Sequence, residues 1–583
     1  MLPVSAPAGG LSLTLLEVGL TAIAATLAFA LPEFCSRPFR GMERAFGKLA
    51  HKPRLAVTVV GVSALLLRLA LLPAFPIPLP FIPDDFSFLL AADTFAHGRL
   101  ANPTPAMWTH FETLHITMQP TYMTMYFPAQ GLFLAAGKVL LGNAWMGVLA
   151  ATVLMCAAIC WMLQAWLPPG WALLGGFLAV LRLGLFSYWI NTYTGAGSIA
   201  ALGGALMLGA MPRLIKTPRM RYALFLAVGI VLVAFTRPYE GVLLCLPVAL
   251  MLARWIFTAE NRPSPSVLLR IAALPLLVLV AAAAWMGYYD YRAFGSPATL
   301  PYTVDRATYA VAPYYVWQSR RAAPVYRHES LKRFYLNFEP QEGDKVRSLK
   351  GYFIEAWIKI HDATLFFAGA ALLPPLFLLR RVLLDRRIRF LVLCVAILIA
   401  GMAIEIYLIP HYVAPFTAAF YAIGLQAMRH LRVWKFEGQS VGRAMVRFLV
   451  AVCIAGAGLR TASAPLHIGP AEWPPSEWVW AWYGPGYFGV ERAQMQATLE
   501  SRPAKQLVIV RYTPDHYPLN EWVYNAADID GSKVIWAREM DEANNRQLID
   551  YYKDREVWLV QPDAGPPQLS PYPLPPKVTS TVH

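Results

Sequence analysis

Two adjacent carboxylates, Asp84 and Asp85, follow a proline-rich stretch in the run Phe81-Ile82-Pro83-Asp84-Asp85-Phe86. A carboxylate so placed can take a proton from a hydroxyl or hold a divalent cation. The same run also reads as the opening of a helix over 86–96, with Asp84 as its N-cap and Gly98 at its end. In that reading both aspartates are solvated capping residues. Asp93 and His97 lie four apart on one face of this helix and join Asp85 as candidate metal ligands. A surface hydrogen-bonded pair is the commoner outcome of that spacing.

Other polar residues gather at the edges of apolar runs. His110, Glu112, His115, Gln119 and Tyr122 follow within the same segment as candidate substrate-binding residues; Glu112 and His115 share a face if that stretch is helical. Arg237 and Glu240 bracket Pro238-Tyr239 between two apolar runs. An arginine there is costly unless it pairs with Glu240 or meets an anion. His411 and Tyr412 stand at a similar junction, as phosphate contact or interfacial anchor. Tyr188, Asn191 and Tyr193 occupy another, as cavity or ordinary loop residues. In loop 289–360, cations such as Arg306, Arg320 and Arg327 interleave with Tyr302, Tyr314 and Trp317. Aromatic faces stack on sugars and cations hold phosphates, but interfacial belts have the same composition. His516 and Asp528-Ile529-Asp530-Gly531 could suggest a site, but Asp-Gly is more often just a turn.

The elements that carry these residues are set by hydropathy. The 583 residues are 57% hydrophobic and 15% charged, with mean hydropathy +0.45. Soluble chains carry about 25% charged residues. The pattern predicts a mainly α, polytopic membrane bundle of about twelve spans. They are placed near 11–31, 55–75, 143–166, 170–187, 195–212, 222–236, 240–258, 268–288, 361–379, 388–409, 411–429 and 446–463. The run 127–141 is too short to span and is expected to lie at an interface. The net charge of +15 falls in loops 32–54, 213–221, 380–389 and 429–447, and span counting places all four on one side. That is the cytoplasmic pattern and gives no reason to invoke nucleic acid. Both termini and segments 77–142, 289–360 and 464–583 then face outward, as in a multi-pass inner (plasma) membrane protein of bacterial type. Five of the six cysteines lie inside apolar runs, which suits small buried hydrophobes and no disulfide framework.

Beyond 463 the character changes. Trp473, Trp482 and Tyr483 suit an interface, and short strands at 507–512, 534–537 and 557–560 with a helix near 541–553 predict a small extracytoplasmic α/β domain. The tail from Gln561 is Pro-rich and expected to be extended. The chain divides into 1–54 (an N-terminal span and basic loop), 55–463 (the membrane domain) and 464–583.

An acidic pair early in the first large outer loop, directly after a membrane helix, resembles the GT-C superfamily of integral-membrane glycosyltransferases. These include protein O-mannosyltransferases, the lipid A aminoarabinose transferase and Rgt-like transferases. Asp84 matches the first acidic position and Asp85 the second, and the interfacial 127–141 with the three spans after it matches the layout. The additional span 11–31 departs from it. The resemblance implies a sugar donor on a polyprenyl phosphate, drawn from the membrane lipid. One carboxylate, Asp84 first, would take the acceptor proton in a single inverting displacement through an oxocarbenium-like state. A divalent metal is compatible with it, and neither the sugar, the acceptor nor the oligomeric state is specified. The competing readings are a transporter or flippase of a lipid-linked substrate, and a non-catalytic surface-assembly protein acting through 464–583.

Overall fold

Proline sets the start of many of the helices. Pro53, Pro83, Pro128, Pro169, Pro238, Pro265 and Pro301 each open a helix in its first turn, where the missing N–H has no intrahelical partner to lose. The computed structural model describes residues 13–34, 36–258, 260, 262–463, 465–466, 468 and 489–573. Cys35, the Trp473 and Trp482 segments and the last ten residues lie outside the described residues.

The protein is a multi-pass membrane protein, mainly helical. Leu13–Ala30, Pro53–Ala70, Trp145–Leu163, Gly197–Lys216, Pro238–Phe257, Pro265–Phe294 and Val441–Thr461 are long and apolar enough to cross a membrane. Pro169–Gly184, Met220–Ala234 and Arg389–Ile404 are shorter apolar helices, and Thr417–Arg432 completes the bundle. Small residues permit close approach between elements. A Cβ on Gly204 would meet the Pro415 carbonyl oxygen at 1.8 Å. Pro128–Leu141 forms as expected and packs between Pro83–Ala96 and Trp145–Leu163.

The span expected at 361–379 is not a straight crossing. The helix there is Leu349–Ala368, and it carries Lys350, Glu355, Lys359, His361 and Asp362. The Tyr352 hydroxyl donates to the Ala403 carbonyl at 3.0 Å, Lys359 Nζ to the Glu405 carbonyl at 2.5 Å, and Arg182 Nε to the Phe366 carbonyl at 2.9 Å. These contacts are seven residues apart, about 10 Å along a helix each. All fall on the ends of Arg389–Ile404 and Pro169–Gly184. The helix therefore lies across one end of the bundle, and the chain returns to the other end through the short turns Pro374–Leu378 and Leu379–Leu383. There Asp385 meets His430 at 3.2 Å. Charge overrode hydropathy in this stretch.

Residues 489–573 form a sheet in the order Val534–Arg538, Lys505–Val510, Arg555–Gln561, Gln568–Pro571. The first three strands are parallel and the fourth antiparallel. The Pro-rich tail thus begins by adding an edge strand before it leaves the described residues. Helix Glu542–Tyr551, capped by Asp541, is the connection between strands. One face of this sheet shares a core with the first loop: Phe86, Leu90, Phe111, Ile116 and Tyr122 pack with Leu507, Ile509, Tyr524 and Ile535.

Candidate functional site

Helix Pro83–Ala96 has Ile82, not Asp84, at its N-cap, because Pro83 takes the first helical position. Both aspartates therefore sit inside the first turn, where the helix dipole favours negative charge. Their environments differ. Asp85 is 0% exposed. Its Oδ1 accepts from the Tyr193 amide at 2.9 Å and its Oδ2 from the Phe81 amide at 3.3 Å. Burial pushes its carboxyl up to about 7, against those two amides and with Asp84 adding to the rise.

The Asp84 side chain is 28% exposed. Its Oδ1 accepts a hydrogen bond from the Tyr126 hydroxyl, and its Oδ2 lies 3.6 Å from His115 Nδ1. The Tyr126 oxygen is also 3.1 Å from His115 Nδ1. Burial works to raise the Asp84 carboxyl, but His115 and the Tyr126 hydrogen bond outweigh it and hold it below the usual range. His115 moves the opposite way: burial disfavours its charge, while Asp84, Asp305 and Glu339 raise it.

The position of His115 is built by its backbone. It adopts φ +63°, a left-handed conformation costing of order 1–3 kcal/mol in a non-glycine residue. Its carbonyl is held there by the Ser87 hydroxyl at 2.6 Å and the Met125 amide at 3.1 Å. Ser87 follows the acidic pair on the same helix, and Met125 precedes Tyr126. Three segments thus fix one imidazole. Tyr126 and Ser87 escaped the sequence reading, since neither has a spacing signal linking it to Asp84.

Arg237 stands across this region. Its guanidinium lies 4.2 Å over the Tyr412 ring, and its buried Nε has no hydrogen-bond partner. Among the described residues no ion pair joins it to Glu240. Tyr302 connects the two halves. Its ring meets Tyr126 edge-on at 5.6 Å, and its hydroxyl lies within electrostatic reach of both Arg237 and Asp84. Glu240 and Glu405 are both buried near Arg237. Burial and the Glu240 charge push Glu405 up to about 8, opposed by Arg237 and Lys359.

His411 and Tyr188 face each other. The Tyr188 hydroxyl accepts from the His411 amide at 3.0 Å and lies 2.8 Å from Nδ1. Burial and Arg237 hold the imidazole neutral. A Cβ on Gly195, at φ +80°, would meet the His411 ring at 2.9 Å, so only glycine fits there. Asn191 instead accepts from Arg68 Nη2 at 3.0 Å and donates to the Ser187 carbonyl at 3.2 Å.

The remaining candidates lie where the first loop meets residues 489–573. His110 Nδ1 is 3.0 Å from the Arg538 carbonyl oxygen. Glu112 Oε1 accepts from Tyr309 at 2.9 Å and from Arg327 at 3.2 Å. The stretch carrying Glu112 and His115 is irregular, not helical, so the two do not share a helix face. Asp93 binds Lys138 at 2.5 Å and accepts from the Ala527 amide at 2.8 Å, while His97 turns its Nδ1 to the Asp93 carbonyl at 2.8 Å. Tyr122 donates to the Asn525 carbonyl at 3.0 Å. Among the described residues, no three His, Cys, Asp or Glu side chains form a metal-binding group. Asp85 and Asp93 meet N–H donors instead.

No protein-family model matches the sequence, and no curated protein is similar to it. Among solved structures, ArnT from Cupriavidus metallidurans in the apo state is 13% identical, with TM-score 0.49 over 86% of this chain and 92% of that one. The same protein bound to undecaprenyl phosphate gives 12% identity and TM-score 0.47, over 86% of this chain and 92% of that one. The apo Archaeoglobus fulgidus oligosaccharyltransferase gives 11% and 0.43, over 87% of this chain and 69% of that one. Both proteins are GT-C glycosyltransferases, and this chain is similar to each over most of its length.

Proposed function

We propose that the protein transfers a sugar from a polyprenyl-phosphate donor to an acceptor hydroxyl, with Asp84 as general base and Arg237 as the phosphate contact. One observation carries this reading: a partly exposed carboxylate held below its usual pKa range and a guanidinium with no ion pair among the described residues both lie within electrostatic reach of Tyr302. The acceptor oxygen attacks the anomeric carbon while its proton passes to Asp84. The carbon–oxygen bond to phosphate breaks, and the polyprenyl phosphate departs with the electron pair. One displacement inverts the anomeric carbon. The phosphate is already a stabilised leaving group, so it needs a cation more than an acid. Arg237 supplies the cation. Asp85 holds the loop bearing Tyr193 against the helix that presents Asp84, and His115 keeps Asp84 ionised. Tyr412, Tyr302 and neutral His411 line the donor side.

The test is consumption of defined polyprenyl-phospho-sugars by the purified protein. The wild type is expected to consume at least one and to release polyprenyl phosphate, while Asp84→Asn binds donor but turns it over at least about a hundredfold more slowly. Full turnover by Asp84→Asn would overturn the assignment.

A further inference from the structure

Between the first two membrane helices lies Ser36–Ala50, which the hydropathy reading treated as a loop. It is a two-faced helix. Arg37, Arg40, Arg44 and Lys48 project within an arc of about 80°, at 100° per residue. All four are exposed, and none makes an ion pair among the described residues. The opposite face fixes the orientation. Phe39 packs edge-on to Phe448 at 6.2 Å and Phe46 against Phe177 at 6.0 Å. Glu43 takes Arg447 at 2.9 Å and Arg432 at 3.1 Å. With its carboxylate committed to those arginines, Glu43 leaves the cationic stripe uncompensated.

The location narrows what the stripe meets. Ser36–Ala50 joins Leu13–Ala30 to Pro53–Ala70, so it lies at the membrane-surface end of the bundle. Arg432 and Arg447 mark that end from two other helices. Phe34, just before the helix, and Met42, on its apolar side with Phe39 and Phe46, are exposed, as suits a helix whose apolar edge enters the acyl boundary. From Arg37 to Lys48 the stripe runs about 16 Å, longer than one small anion and matched to a row of headgroups.

We propose that Arg37, Arg40, Arg44 and Lys48 form a binding stripe for anionic phospholipid headgroups in the adjoining leaflet. Each cation near an anionic surface adds to the attraction, which falls off within a Debye length. The site is separate from the Asp84 region and does not depend on the reaction assigned to it.

The experiment is electron paramagnetic resonance of the full chain in phosphatidylcholine vesicles containing spin-labelled phosphatidylglycerol or spin-labelled phosphatidylcholine. The expected result is a larger motionally restricted fraction for phosphatidylglycerol, lost in 1 M salt. The combined variant R37Q/R40Q/R44Q/K48Q should lower the relative affinity for phosphatidylglycerol about tenfold. R37K/R40K/R44K, which keeps every charge, should retain it and controls for folding. R380Q/R381Q/R386Q, altering another basic loop at the same end, should retain most of it. No preference in the wild type, an unchanged preference in the glutamine variant, or an equal loss in the R380Q/R381Q/R386Q control would each overturn the proposal.

Discussion

Asp84 and Asp85 are bonded neighbours with opposite surroundings: the first points to Tyr126 and His115 with part of its surface open, and the second is sealed under the Tyr193 and Phe81 amides. On a helix, adjacent side chains are rotated by about 100° from one another. The pair can therefore divide its labour, one residue for chemistry and one for architecture.

That division predicts different phenotypes. Asp84→Asn should lower the single-turnover transfer rate by about 10²–10⁴-fold, the usual contribution of a general base. Donor binding and thermal stability should change little, because Asn keeps the volume and an acceptor for Tyr126. Rapid-quench kinetics beside equilibrium donor binding separates the two effects.

Asp85→Ala should instead reduce the amount of folded protein. It strips the buried Tyr193 amide of its acceptor, at about 1–3 kcal/mol for an unsatisfied group, and removes the acceptor of the part-buried Phe81 amide as well. The carboxyl also makes stability depend on pH. Its folded value, about 7, lies above the ordinary 3.8, so the folded state binds more protons between those values. Stability should fall as pH rises through that window. Thermal unfolding at pH 5 and pH 8 checks the slope, which Asp85→Asn should flatten.

His115→Gln should move the acidic limb of the kcat/KM profile to higher pH. His115 is among the groups that hold Asp84 ionised against burial. Without its charge the Asp84 carboxyl rises, and the base is lost at a less acidic pH. An unshifted limb would mean that His115 does not tune the base.

Arg237→Gln should weaken donor binding by about ten- to a hundredfold, the worth of one charge-assisted hydrogen bond. Acceptor KM should stay near the wild-type value. Titration with a polyprenyl phosphate, which lacks the sugar, isolates the phosphate contact.

Much of the fold could be read from composition, because apolar runs and basic loops are physical necessities in a bilayer. The first and last membrane helices, the interfacial helix and all three parallel strands fell near their expected places. The stretch 349–368 did not, since its charges are scattered among apolar residues and only its contacts with Ala403, Glu405 and Arg182 show how it lies. Local sequence placed Asp84 at a cap, yet with Pro83 opening the helix Asp84 sits two positions inward, inside the first turn. Around the site, the acidic pair and Arg237 carry signals of their own. Tyr126 and Ser87 do not, because their meeting depends on a strained backbone at His115, and Tyr302, named only among the aromatics of loop 289–360, meets Tyr126 from well over a hundred residues away.

Phe86, two positions after Asp84, stacks on Tyr524 at 4.2 Å with the Arg492 guanidinium 4.6 Å from its ring centre. A ribosome makes the carboxylate helix early and its packing partner more than four hundred residues later. The protein must therefore hold that helix without its packing partner through most of its insertion, and closing the sheet of residues 489–573 is the step that completes the wall behind it.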